Sequence, residues 1–263
     1  MRWMISIIVL LLTAHVSAQE KFDLDHSQWN SLLAAHVSWT DDGGTSVVDY
    51  AGFAKDRDAL DAYLARASNV SISTYEGWKK ADRDAFLINV YNAATVQLIL
   101  TRYPDLKSIK DLGSLFSSPW KKEVINLLGK PRSLDDIEHT MLRGAPDYSE
   151  PRIHFAVNCA SIGCPALRPE AFVGSRLAAQ LDDQTHRFLG DRTRNRYEVG
   201  EGLQVSRIFD WYDDDFENHA GSVSRFLASY ADALKLDAAA RSRLESGTLS
   251  ITYTDYDWQL NDK

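Results

Sequence analysis

Cysteine is almost absent: the 263-residue chain has two, Cys159 and Cys164, both inside Ile153-His-Phe-Ala-Val-Asn-Cys-Ala-Ser-Ile-Gly-Cys-Pro165. That scarcity excludes a disulfide-stapled scaffold, and the lack of a second close-spaced ligand pair argues against a zinc site. Basic charge is also in short supply, with 29 Lys and Arg against 37 Asp and Glu for a net charge of -8. No basic patch stands out, so neither nucleic acid nor an anionic membrane surface is expected as the main partner. Pro/Gly/Ser-rich linkers, charge blocks and internal repeats are missing as well, and residues 19–263 read as one globular domain. Beyond the N-terminal run, no segment is long and apolar enough to span a bilayer.

That N-terminal run is itself informative. Arg2, the apolar stretch Ile5 to Leu12 and Val16-Ser17-Ala18 fit a charged region, a short hydrophobic region and a small-residue cleavage site. Residues 1–18 are therefore expected to be a signal peptide and the mature protein to be secreted or periplasmic. In such a compartment two cysteines separated by four residues are commonly a disulfide, and a Cys159 to Cys164 bond would fit a non-catalytic ligand- or protein-binding module. The competing reading is a nucleophile, because Cys159 stands where an apolar segment turns.

Hydrophobic spacing predicts helices from Trp29 to His36 behind the cap candidate Ser27, from Phe53 to Ala67, and after the capping-box pattern Ser73-x-x-Glu76. From Asp82 to about Arg102 a helix apolar nearly all round is expected in the core, with Asn89 and Asn92 on one face. Buried amides must find partners, so these two either tie a neighbouring loop or face a polar pocket. A hairpin is predicted around Gly129, then a short helix from Leu134 to Arg143 capped by Ser133. On that helix Glu138 falls within the apolar stripe of Leu134, Ile137, Met141 and Leu142, and His139 lies on its edge. Arg152 to Asn158 alternates as a strand, a turn follows to Pro165, and a helix, a hairpin, two further helices and a late strand near Thr248 to Tyr253 complete the reading. Helices interspersed with short strands, without strict βαβ alternation, predict an α+β domain with a small, mostly antiparallel sheet.

A thiol nucleophile needs a base and a group to orient that base. His154 is nearest in sequence, but a straight strand puts it roughly 16 Å away and on the opposite face. His139 is therefore the expected base, with Glu138 or Asp257 as its orienter. Backbone amides at Ala160 or Ser161 would supply oxyanion donors if the turn opens into a helix N-terminus. Asn89 and Asn92 would line or brace the site, and the aromatic segment Tyr253 to Trp258 would close part of the pocket.

Several motifs together resemble the domain of unknown function 547 family. They are Phe86-x-x-Asn-x-Tyr-Asn92, Ser133-Leu-Asp-Asp-Ile-Glu-His139 with Leu142-Arg143, His154 to Pro165, Ile208-Phe-x-Trp-Tyr212 with Asp215-Phe216, and Tyr256-Asp-Trp-x-Leu-Asn261. The resemblance runs from about Val48 to the C-terminus. Members are similar to papain-like or transglutaminase-like thiol enzymes, which implies a papain-like arrangement of cysteine, histidine and an acidic or amide residue. In relatives the cysteine at the position of Cys159 is kept while that of Cys164 can be serine, which implies Cys159 as the functional thiol. Catalytic residues are thus expected among Cys159, His139, Glu138 and His154. Substrate contacts are expected among Asn89, Asn92, Ser161, Asp257 and Trp258. The expected activity is a thiol hydrolase or acyl transferase acting on a small-molecule or peptide substrate, an amide or thioester of peptide or glutathione type. No cofactor or metal is implied.

Overall fold

Helices with short strands interspersed run along the chain from Ser27. The computed structural model describes residues 21–40, 42–114 and 117–263, and the expected signal peptide at 1–18 lies outside them. Trp29, Leu32 and Leu33 form the buried face of α1 (Ser27–His36). The Asp23 carboxylate accepts from the Ser27 amide at 2.9 Å, so Ser27 begins the helix and does not cap it. β1 (Val37–Trp39) and β2 (Ser46–Val48) pair antiparallel. The amphipathic stretch that follows is two helices, α2 (Tyr50–Lys55) and α3 (Arg57–Ser68). Ser71, two residues before the expected cap, accepts from the Thr74 amide and starts α4 (Ile72–Glu76). α5 (Lys80–Leu100) then forms the centre: every residue from Ala85 to Val96 is buried, as its nearly continuous apolar sequence requires.

β3 (Glu123–Leu127) and β4 (Lys130–Ser133) make the expected hairpin. Leu128 and Gly129 both take positive φ, 51° and 79°, the two-residue turn whose twist matches that of the strands. The helix expected after Ser133 is a π-helix over Asp136–Leu142. Its wide register is explicit in the Arg143 amide, which donates to the Glu138 carbonyl five residues back at 2.9 Å. π-Helical turns are rare and recur at functional sites, and this one carries Glu138 and His139.

The segment expected as a strand is instead a 3-10 helix, Pro151–Phe155. Pro151 fixes the first turn, the Glu150 side chain accepts from the Arg152 amide, and the Ala156 amide closes onto the Ile153 carbonyl. The alternating pattern has a different cause. Ile153, Ala156 and Val157 enter the large core around α5, whereas Phe155 enters a second core with Phe188, Phe209, Phe216 and Phe226. A short segment buried on two sides thus carries apolar residues at Ile153, Phe155 and Val157, the spacing that one face of a strand would show.

α6 (Leu177–Gly190), β5 (Arg196–Glu198), β6 (Gly202–Val205), α7 (Ile208–Trp211), α8 (Asp213–Ala220), α9 (Val223–Ser229), α10 (Ala238–Glu245) and β7 (Ile251–Tyr253) complete the chain. β7 joins β6 in parallel, so the single small sheet expected from the sequence is three separate sheets, antiparallel except for this pair. The architecture is a single α+β domain, helices around small sheets. No helix among the described residues is long and apolar enough to cross a membrane.

Candidate functional site

Two buried asparagines, Asn92 on α5 and Asn158 in the loop itself, shape the loop that carries Cys159. Asn92 donates to the Ala156 carbonyl at 2.9 Å and accepts from the Asn158 amide at 2.8 Å. Asn158 in turn donates to the Pro165 carbonyl at 2.7 Å and accepts from the Ala160 amide at 2.8 Å. These four bonds draw the loop closed, and they hold Ala160 at φ 60°, a region that L side chains seldom occupy. Asn89, a turn earlier on the helix, does the same for another loop, pairing with both sides of the Phe172 backbone at 2.6 and 3.0 Å. Both asparagines of α5 therefore brace loops, and neither lines the pocket described below. The C-terminal tail completes the support: the Gly163 amide donates to the Asp257 carbonyl at 2.8 Å, and a Cβ on Gly163 would stand 2.9 Å from the Asp257 backbone, so this approach requires glycine.

Above the loop lies a cavity of about 190 Å³ in whose wall Cys159, Cys164, His154, Glu138, His139 and Trp258 meet. Tyr91, Tyr212, Tyr256, Trp211 and Trp120 complete its aromatic lining. Both cysteines are free thiols. The Cys159 sulfur is half-buried and lies 3.2 Å from Ser161 Oγ and 3.2 Å from the Tyr256 hydroxyl. The Cys159 amide donates to Cys164 Sγ at 2.8 Å. Burial pushes the Cys159 thiol up, but hydrogen bonds from Cys164, Ser161 and Tyr256 outweigh it and bring the group down to about 7. Burial and the neighbouring Cys159 charge push Cys164 the other way. One thiol of the pair is thereby made the easier to ionise.

His154 is fully enclosed and stacks on Tyr212 with ring centroids 3.8 Å apart. Its Nε2 donates to Asp215 at 2.7 Å, which leaves the lone pair on Nδ1. That Nδ1 is buried without a hydrogen-bond partner. Burial lowers the imidazole below its ordinary value against the opposing pull of Asp215, so it is neutral at pH 7. The 3.8 Å approach of Glu138 Oε1 to Nδ1 is therefore neither an ion pair nor a hydrogen bond. Asp215 also accepts from Arg143 at 2.6 and 3.1 Å and from Tyr148 at 2.9 Å. These bonds overcome its burial and hold the carboxyl far below the usual carboxylate range.

Three expectations are corrected by this geometry. His154 is not turned away from Cys159: the 3-10 helix swings it into the wall of the same cavity, where a straight strand would have pointed it elsewhere. His139 is the more exposed histidine, with 41% of its side chain accessible, and its Nδ1 is engaged by Arg143 at 2.8 Å. Asp257 is exposed and caps Gln259 through its side chain, and the carboxylate that orients an imidazole is Asp215. The oxyanion donors expected in the turn also differ. The Ala160 amide is taken by Asn158, and the turn bridges to Leu260 instead of opening a helix. Ser161 is buried against the thiol and lines a different cavity beneath the loop.

Sequence reasoning does not single out Asp215 or Tyr212 as site residues, and reaches Tyr256 only as part of the Tyr253 to Trp258 segment expected to close the pocket, although all three lie within the motifs quoted above. An acid just after an aromatic cluster, Trp211-Tyr212, is the available signal for Asp215. Among the described residues, no group of three or more His, Cys, Asp or Glu is placed to hold a metal ion.

The class so defined is an α+β protein with a half-buried thiol and a carboxylate-oriented imidazole in one aromatic pocket. Residues 75–189 match the model of the family described as "Protein of unknown function, DUF547". The matched range holds both cysteines, His154 and the Glu138-His139 pair, and leaves Asp215 and Tyr256 beyond it. No curated protein and no solved structure matches the chain.

Proposed function

We propose that the protein is an exported thiol hydrolase or acyl transferase that forms an acyl-enzyme on Cys159. The observation that carries this reading is the coexistence in one cavity of a thiol lowered to about 7 and a neutral, carboxylate-oriented imidazole with an unpartnered nitrogen. His154, and not His139, is the base in this reading. Its Nδ1 takes the thiol proton, the thiolate attacks the acyl carbon, and a C–S bond forms as the bond to the leaving amine or thiol breaks. The leaving group departs with the proton from Nδ1. Water, or an acceptor amine in a transferase, then attacks the thioester, gives its proton to His154, and the thiolate is released. The Tyr256 hydroxyl, kept protonated by burial and by the adjacent Cys159 charge, lines the cavity 3.2 Å from the sulfur and would donate to the developing oxyanion.

The reading rests on the arrangement of these groups, to which the papain-like resemblance of the motifs adds Cys-His-acid logic. Incubation of the mature protein with a panel of activated thioesters tests it by intact mass and peptide mapping. A transient acyl adduct on Cys159, absent in Cys159→Ala, is expected. Thioester turnover that persists undiminished in Cys159→Ala sinks the proposal.

A further inference from the structure

The charge in the pocket is one-sided. Glu138 and Asp135 both line the cavity, and no lysine or arginine among the described residues lines it with them. Glu138 is enclosed, 5% exposed, and its hydrogen bond is one from the neutral Tyr212 hydroxyl at 2.8 Å. A buried carboxylate so lightly compensated is a place for a cation to reach. Arg143, whose guanidinium lies 5.0 Å from the Tyr212 ring centroid, is committed to Asp215 and to His139. Burial raises the Asp135 carboxyl above its ordinary value, with His139 opposing and Glu138 reinforcing. His154 Nδ1, buried and unpartnered, is a further acceptor in the same wall.

The remaining wall is aromatic and suits a cation. Trp211 stacks on Trp258 at 5.9 Å, Trp120 meets Trp258 edge-on at 5.7 Å, and Tyr256 packs on it at 4.5 Å. The Lys110 ammonium, which does not line the cavity, already sits 3.7 Å from the Trp258 ring centroid, showing that this wall accepts an ammonium on one of its faces.

We infer that the site selects acyl donors carrying a free ammonium group, held by Glu138 and Asp135 against the aromatic wall while the acyl carbon rests on Cys159. This builds on the reading of Cys159 as a nucleophile and narrows it to an unblocked amino-terminal or lysine-like acyl group, in preference to an anionic donor such as glutathione. Such a substrate would also assist its own reaction. The Glu138 charge is among the influences that raise the Cys159 thiol, and a bound ammonium would cancel it.

A charge series of alkylating agents tests the selection without a known substrate. Cys159 labelling by 2-bromoethylammonium, iodoacetamide and iodoacetate is followed by peptide mapping in the full mature protein. Each rate is divided by that of the same reagent with a small free thiol. The expected order is cation over neutral over anion, with at least about tenfold between the ends. Glu138→Gln, which retains an oxygen to accept from Tyr212, and Asp135→Asn should each shrink that range several-fold. Labelling of Cys159 in the wild type with no charge order, or with the anion fastest, overturns the inference and leaves the thiol-enzyme reading standing. An unchanged range in both variants overturns the assignment to these carboxylates. Failure of every reagent to label Cys159 above the small-thiol rate removes the activated nucleophile, and the inference falls with it.

Discussion

At the thiol, two hydroxyls and a second sulfur oppose the effect of burial, and Tyr256 is the hydroxyl that also faces the cavity. Replacing Tyr256 by Phe keeps the ring packing on Trp258 and deletes a donor to the sulfur, so the thiol pKa should rise from about 7. At pH 7 the wild type is about half ionised, whereas an ordinary thiol near about 8.5 is only a few per cent ionised. Alkylation of Cys159 at pH 7 should therefore slow by about three- to tenfold in Tyr256→Phe. Above about pH 9 the order should close or reverse, because a more basic thiolate is intrinsically the better nucleophile. A pH profile of labelling rate measures both limbs, and superimposable profiles would show that Tyr256 does not tune the sulfur. Sequence marks Cys159 as the thiol, but not its hydroxyl partners. Tyr256 is distant in the chain and reaches the sulfur only because the tail returns along the Cys159 loop.

Among the elements, legibility follows the number of neighbours that share a segment. α5 is clear because it is enclosed by one core on every side, and the β3–β4 hairpin because its turn chemistry is local. Pro151–Phe155 is not, since cores on two sides take Ile153 and Phe155 separately, and the resulting apolar spacing of two is also what one face of a strand would carry. The error propagates directly to the site by placing His154 on the wrong face. Glu138 is legible as a buried carboxylate, yet the π-helix that carries it has no sequence signature of its own, and its partner Tyr212 comes from a remote helix end. The amides of α5 leave two roles open in the sequence, and their hydrogen bonds assign them to bracing. Asn92→Ala removes two buried bonds to the Ala156–Asn158 backbone and strands a carbonyl and an amide, a loss of about 3 kcal/mol. Urea denaturation measures it. The same variant should slow Cys159 labelling at pH 7, because the loop that places the sulfur beside Ser161 and Tyr256 is no longer held. A loss under about 1 kcal/mol would mean that the loop is fixed by its other contacts.

On the scale of the whole molecule, the first described residues are locked onto α5 by an aromatic cluster with a titratable group at its centre. Phe22 meets Phe86 edge-on at 5.1 Å and His26 at 5.4 Å, and His26 Nδ1 lies 2.9 Å from the Tyr63 hydroxyl. His26 is 2% exposed, and burial lowers it from 6.5 to about 4, with Asp23 opposing. The folded protein thus keeps this imidazole neutral while the unfolded chain protonates it as pH falls through 6.5. Stability from this group is complete above pH 6.5 and is lost progressively down to about 4, a change of about 3 kcal/mol. His154, lowered by burial as well, acts in the same direction, so a comparison must isolate His26. Asn tolerates the left-handed backbone that His26 adopts at φ 51° and does not titrate, which makes His26→Asn the suitable variant. Its stability at about pH 7.5 should be lower than wild type because Tyr63 and the ring contacts lose their partner. Between about pH 7 and about pH 4.5, however, its urea midpoint should fall much less steeply, the two curves converging at the acid end. Parallel curves across that range would show that the N-terminal cluster opens before His26 is protonated, and that acid sensitivity originates at His154 or among the carboxylates.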